Sequence, residues 1–180
     1  SGTTRRPLRA LAALVAAAAL AAMLAAAAAP AATITWTGGA ADKLWSSAGN
    51  WSGAPANQDI RFENAGTSGT AGVVTSIVDA TTTINSLHFR NYADHTVDPN
   101  SNYHTVQVNN GVTLNVTSYL RVGDSGNSRT TWTRIEGAGS LNVNAPAGNI
   151  DVDYNGTYWQ YHPSELDLSG LASFTANVAQ

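Results

Sequence analysis

The chain beyond residue 33 predicts an all-β fold, a right-handed parallel β-helix (solenoid) of about three to four coils, and two observations carry the prediction. First, apolar residues recur at every second position among Thr, Asn, Gly, Ser and Val, with almost no helical periodicity; this is the pattern of half-buried strands. Second, a short pattern returns at a fixed interval: "SLHF" (86–89), "TLNV" (113–116) and "SLNV" (140–143) place Leu87, Leu114 and Leu141 27 residues apart each time. A period in the twenties on short strands is the signature of stacked coils. The alternative, a β-sandwich of short antiparallel strands, accounts for the alternation but not for the recurrence.

The coils follow in order along residues 83–180. The first opens near "TTINSLHFRN" (82–91). The second, 105–132, has three apolar alternations: Val106 and Val108, then Val112, Leu114 and Val116, then Leu120 and Val122. The third, 133–165, repeats them as Ile135, then Leu141 and Val143, then Ile150 and Val152, with Asn, Gly and Pro at the corners. A fourth opens at "LDLSGLASFTANV" (166–178), where Leu168-Ser169-Gly170 takes the place of Ile135-Glu136-Gly137 at a spacing of 33. The 27 residues from Leu141 to Leu168 are then a coincidence. No coil buries its own apolar face, so such a stack needs about three coils and a cover at its ends.

Residues 33–82 do not follow the coil pattern and are assigned as an N-terminal cap. Three tryptophans, Trp36, Trp45 and Trp51, fall within "ITWTGGAADKLWSSAGNWSG" (34–53). Each indole covers roughly 150 to 250 Å², so these three are expected to close the open end of the first coil. The stretch "ITWTGGAADKLWSSAGNWSGAPANQDIRFENAG" is similar to the opening of large secreted or surface bacterial proteins with autotransporter-associated β-strand repeats. The resemblance is carried by Trp36-Thr37-Gly38-Gly39, Trp45, Asn50-Trp51, Pro55 and the strand from Asp59 to Phe62, and "INSLHFRN" and "GAGSLNV" resemble coil segments of that family. It covers roughly residues 34–180 and implies a passenger-like β-helix at the cell surface with no enzymatic activity of its own. Autotransporters proper have many more coils and a C-terminal outer-membrane barrel, neither of which is visible here; the reading is of a chain truncated at its C-terminus.

Residues 1–32 read as a secretory signal peptide: Arg5, Arg6 and Arg9, an apolar run from Leu11 to Ala29, and small residues offering cleavage after Ala29 or Ala32. The Arg5-Arg6 pair also fits a twin-arginine export signal, and an uncleaved membrane anchor is the alternative to cleavage. Three of the nine basic residues lie in this leader and all twelve acidic ones follow it, which leaves the remainder at about minus six with Lys43 as its only lysine. Such a surface argues against nucleic acid as a partner and against any membrane contact other than through the N-terminal segment. With no cysteine, an exported chain is held by its core and its backbone ladders alone.

No constellation of residues points to chemistry, and the expected catalytic, cofactor-binding and metal-ligating sets are empty. His88, His95, His104 and His162 show no zinc-like spacing. There is no G-x-S-x-G elbow, phosphate loop or Cys nucleophile. Asp151 and Asp153 alternate on one strand, roughly 7 Å apart on its outer face, which suits solvation more than a hydrolytic pair. The triplets at Asn50, Asn115 and Asn155 are chance matches to a glycosylation signal.

The connections between coils are rich in aromatics: Tyr92, Tyr103, Trp132, Tyr154, Tyr158, Trp159 and Tyr161, with Arg129 and Arg134. Stacked on one side they form a candidate ligand face, centred on Trp132, Tyr154, Tyr158, Trp159, Tyr161, Arg129 and Arg134, or else pack on their own scaffold. The function expected is a non-catalytic exported surface or extracellular-matrix scaffold, adhesin-like, with extracellular polysaccharide or protein as partner. The alternative is a carbohydrate-binding module using those aromatics, and a polysaccharide lyase or glycoside hydrolase is the third reading.

Overall fold

The computed structural model describes residues 30–91, 102–123, 131–152 and 164–179. The alternating segments become ten strands: β1 (Thr33–Thr35), β2 (Asp59–Phe62), β3 (Ser76–Val78), β4 (Thr82–Phe89), β5 (His104–Val108), β6 (Thr113–Val122), β7 (Trp132–Ala145), β8 (Ile150–Val152), β9 (Glu165–Asp167) and β10 (Leu171–Val178). Among the described residues there is no α-helix, only a single 3-10 turn at Ala48–Asn50. Every pairing between these strands is parallel, and the chain is a β-solenoid of about four turns.

Each turn has three faces. The first face stacks β3, β5, the start of β7 and β9. The second stacks 82–84 of β4, 113–116 of β6, 140–145 of β7 and β10. The third stacks β1, β2, 86–89 of β4, 119–122 of β6 and β8. Long strands such as β7 turn a corner between faces, and Gly137 makes that corner: its φ is +113°, and a Cβ there would lie 2.3 Å from the Val108 carbonyl oxygen of the turn beneath.

Inward side chains stack in columns one turn above another. On the third face the column is Ile34, Ile60, Leu87, Leu120 and Ile150, beside Phe62, Phe89, Val122 and Val152. On the second it is Ile84, Val116, Val143 and Ala176, beside Leu114, Leu141 and Phe174. On the first, Val106 pairs with Ile135. These columns make one continuous core. Turns two and three therefore have the register read from sequence, and so does the fourth, where Arg134 pairs with Asp167 and the Gly137 N–H donates to the Gly170 carbonyl.

Two expectations differ from the structure. Leu87 does not stack on Leu114: it lies over Ile60 and under Leu120, while Leu114 pairs with Thr82. "SLHF" therefore belongs to the third face and "TLNV" to the second, and their 27-residue spacing is as accidental as that of Leu168. The physical reason is that all three faces demand the same inward alternation, so one tetrapeptide fits any of them. The boundary placed at residue 82 also falls elsewhere. β2 pairs in register with β4, and β3 with β5, so the solenoid ladders already run through residues 59–78.

Candidate functional site

Three places gather side chains of the kind that bind or react: the tryptophan plug, the outward polar columns and a groove on the first face. The plug is built on Phe62, which stacks on Phe89 at a centroid distance of 4.9 Å. Trp36 lies over Phe62 at 5.9 Å, and Trp51 meets Trp36 and Trp45 edge-on at 4.9 and 5.0 Å. Its rim is held by Asn50, which is buried. The Asn50 Oδ1 accepts from the Ala40 N–H at 2.8 Å, and its Nδ2 donates to the Leu44 carbonyl and the Asp42 carboxylate, each at 3.0 Å. The Trp51 indole N–H donates to the Trp45 carbonyl at 2.9 Å. Gly38 and Gly66 both have positive φ and lie against the Trp36 ring, where a Cβ on Gly66 would come within 2.6 Å of Nε1. Buried on both sides, these indoles offer no platform to a sugar.

The outward columns are spent on one another. Asn142 Nδ2 donates to Asn115 Oδ1 at 3.0 Å, Thr175 Oγ1 donates to Asn142 Oδ1 at 2.9 Å, and Asn177 Nδ2 donates to Asn144 Oδ1 at 2.9 Å. Arg121 Nε donates to Asp151 Oδ2 at 3.0 Å, and its guanidinium also sits 4.1 Å from the centroid of the Tyr119 ring. Asp151 is thus tied to the turn below; Asp153 lies outside the described residues.

Among the described residues one histidine is buried: His104 packs edge-on to Phe62 at 4.8 Å, its Nε2 donates to the Glu63 carbonyl at 2.6 Å, and Nδ1 faces the Thr75 hydroxyl at 3.2 Å. Burial pushes its pKa down to about 4, against the smaller opposing effect of the Glu63 carbonyl, so the ring is neutral at ordinary pH. Among the described residues no three His, Asp or Glu side chains converge as a metal site would require.

The groove holds about 230 Å³ and is lined by Tyr103, Thr105, Trp132, Arg134, Glu165 and Asp167, with Ala71 and Gly72 along one edge. These come from three successive turns at equivalent register positions: Thr105 pairs with Arg134 and Arg134 with Asp167, while Trp132 pairs with Glu165. Tyr103 and Trp132 meet at 6.3 Å with ring planes 80° apart, making a corner instead of a flat platform. Arg134 Nε donates to Asp167 Oδ2 at 2.8 Å, and Nη1 lies 3.4 Å from Glu136 Oε2. Bonds from the Ser169 hydroxyl and N–H, with Arg134 added, hold the Asp167 carboxyl below its ordinary pKa. The indole N–H of Trp132 and the hydroxyl of Thr105 are buried with no partner among the described residues.

No family model matches the chain, and no curated protein or solved structure matches it. The site is therefore read from its own geometry. Of the ligand face expected from sequence, Trp132 and Arg134 meet in the groove, joined by Tyr103. Arg129, Tyr154, Tyr158, Trp159 and Tyr161 lie outside the described residues, as do Tyr92, His95, His162 and residues 1–29 of the expected leader. Thr105, Glu165 and Asp167 escaped sequence reading, because nothing in a linear pattern links Thr105 to two acids that lie 60 and 62 positions further on. The signal that exposes them is register: each occupies the place of an already suspected residue one turn away.

Proposed function

We propose that the chain is a non-catalytic exported scaffold of the cell surface or extracellular matrix, a passenger-like β-helix of adhesin type. The observation that carries this reading is the use made of the outer polar side chains. Arg121 with Asp151, and Asn115 with Asn142 and Thr175, bond one turn to the next instead of converging on a point. Such columns stiffen a spacer, and they leave its acids and amides occupied. The basic and apolar leader and the resemblance of roughly residues 34–180 to surface proteins support export. The test is expression of the full chain in a bacterial host, followed by fractionation, labelling of intact cells and adhesion to polysaccharide-coated surfaces, with release of reducing sugar measured in parallel. Surface labelling without sugar release is the expected result; retention in the cytoplasm or steady release of reducing ends overturns it.

A second reading, carbohydrate binding, is favoured by one observation: the corner of Tyr103 and Trp132 opens on a groove that also holds Arg134, Glu165 and Asp167. Aromatic faces beside planar hydrogen-bonding groups are what a sugar ring requires, because it has apolar C–H faces and a rim of hydroxyls.

A further inference from the structure

The groove on the first face carries a more specific assignment, which rests on the carbohydrate-binding reading and not on the scaffold reading. We infer that it is a subsite for a single neutral pyranose ring, bound against Trp132 and Tyr103 with its hydroxyls exchanged among Thr105, Arg134, Glu165 and Asp167.

Size comes first. At about 230 Å³ the groove is smaller than the roughly 300 to 1,000 Å³ typical of sites for drug-sized ligands. One ring fits, and any further sugar units lie outside. The two orthogonal aromatic rings offer a corner, so the sugar packs one C–H face on an indole or phenol ring and its edge on the other.

The unpartnered groups then select the chemistry. Thr105 is 1% exposed and its hydroxyl oxygen has no partner among the described residues; the Trp132 indole N–H is in the same position. An indole N–H can only donate, so whatever satisfies it must accept. An ammonium or guanidinium group, which the nearby carboxylates would otherwise attract, has no acceptor to give. A sugar hydroxyl accepts from Trp132 and donates onward to a carboxylate. Glu165 is exposed, and its carboxylate has no partner among the described residues, so it is ready to accept such a bond.

Charge finally separates neutral from acidic sugars. Among the described residues Arg134 is the one cation lining the groove, and it is already shared between Asp167 at 2.8 Å and Glu136 at 3.4 Å. With Glu165 beside them the described lining carries a net negative charge, which a uronate or sialic acid would meet with repulsion.

The full chain is titrated by NMR with glucose, galactose, mannose and N-acetylglucosamine, and separately with galacturonate and methylammonium, at millimolar concentration. At least one neutral sugar is expected to shift the Trp132 indole resonance, with galacturonate and methylammonium silent. Two variants test the assignment without threatening the fold. Thr105→Val removes the unsatisfied hydroxyl, so it should leave thermal stability unchanged or raise it while weakening binding about tenfold; Glu165→Gln alters an exposed carboxylate and should weaken binding several-fold. If the chain binds polysaccharide but both variants bind like the parent, the groove assignment falls while carbohydrate binding elsewhere stands. If none of the neutral sugars binds in solution or on a coated surface, both fall. Preference for galacturonate or methylammonium overturns the assignment on its own.

Discussion

The two ends of the solenoid are closed in opposite degrees. At the N-terminal end Trp36, Trp45 and Trp51 are 0%, 3% and 6% exposed, whereas at the other end Phe174 and Val152 are 42% and 44% exposed. Both ends terminate the same stacked columns: Phe62 and Phe89 lead down to the tryptophans, and Leu114 and Leu141 lead up to Phe174. What differs is whether a segment crosses the end. Residues 36–51 do so at the N-terminus, laying indoles on Phe62 and linking back through the Trp36 N–H to Arg61 and the Trp45 N–H to Ile77. No described strand crosses β10, which pairs with β7 alone and has neither a charge nor a proline along it. Parallel stacking always leaves such an edge, and closing it requires aromatic mass outside the repeat.

The largest test of this contrast is Trp51→Ala. Removing a buried indole that touches Trp36, Trp45 and Phe62 should cost about 3 to 5 kcal/mol in urea unfolding and expose the core to dye binding. Loss of less than about 1 kcal/mol would mean that the end is not closed by this ring.

The next effect is on pH, and it belongs to the same end because His104 packs against Phe62. The folded chain holds this ring neutral down to about pH 4, while the unfolded chain protonates it near 6.5. Between those values the unfolded state binds the extra proton, so stability falls as the pH drops. The slope is about 1.4 kcal/mol per unit, or about 3 kcal/mol across the window. His104→Gln should flatten that slope; an unchanged slope would assign it to another group. Asp42, Asp79 and Asp167 are held below their ordinary pKa and lose their contributions only as pH falls below the usual carboxylate range. Their losses fall at lower pH than the histidine window.

The smallest effect is expected at the open end. Phe174→Ser should cost about 1 kcal/mol, well below Trp51→Ala, because the ring is 42% exposed, and should reduce self-association in light scattering at high concentration. A cost comparable with that of Trp51→Ala would show that the two ends are equally closed.

Much of this architecture was legible in particular residues. Val106 with Ile135, Leu114 with Leu141, and Leu120 with Ile150 could be matched from alternation and corner residues, because turns two and three differ little in length. Leu87 could not, since its alternation is the same on every face and the first turn is longer. The ladder through "DIRF" was equally hidden, although Arg61, His88, Arg121 and Asp151 form one outward column across four turns. Of the groove, the aromatic half was legible as Tyr103, Trp132 and Arg134. Its polar half was not, because Thr105, Glu165 and Asp167 become neighbours only through stacking.

By itself the sequence determined that the chain alternates, that it stacks in turns of about thirty residues, and that its first segment carries the aromatic surface needed to cover an end. These follow from local periodicity and composition, which each strand obeys without reference to the others. Only the tertiary structure decided how the first turn, with Leu87 and the strand through Ile60, lies on the rest. With it came the burial of His104 and the meeting of Thr105, Trp132 and Asp167 around one groove. Register between turns is set by the packing of whole columns and by the lengths of the corners, and those quantities belong to the stack and not to any one repeat.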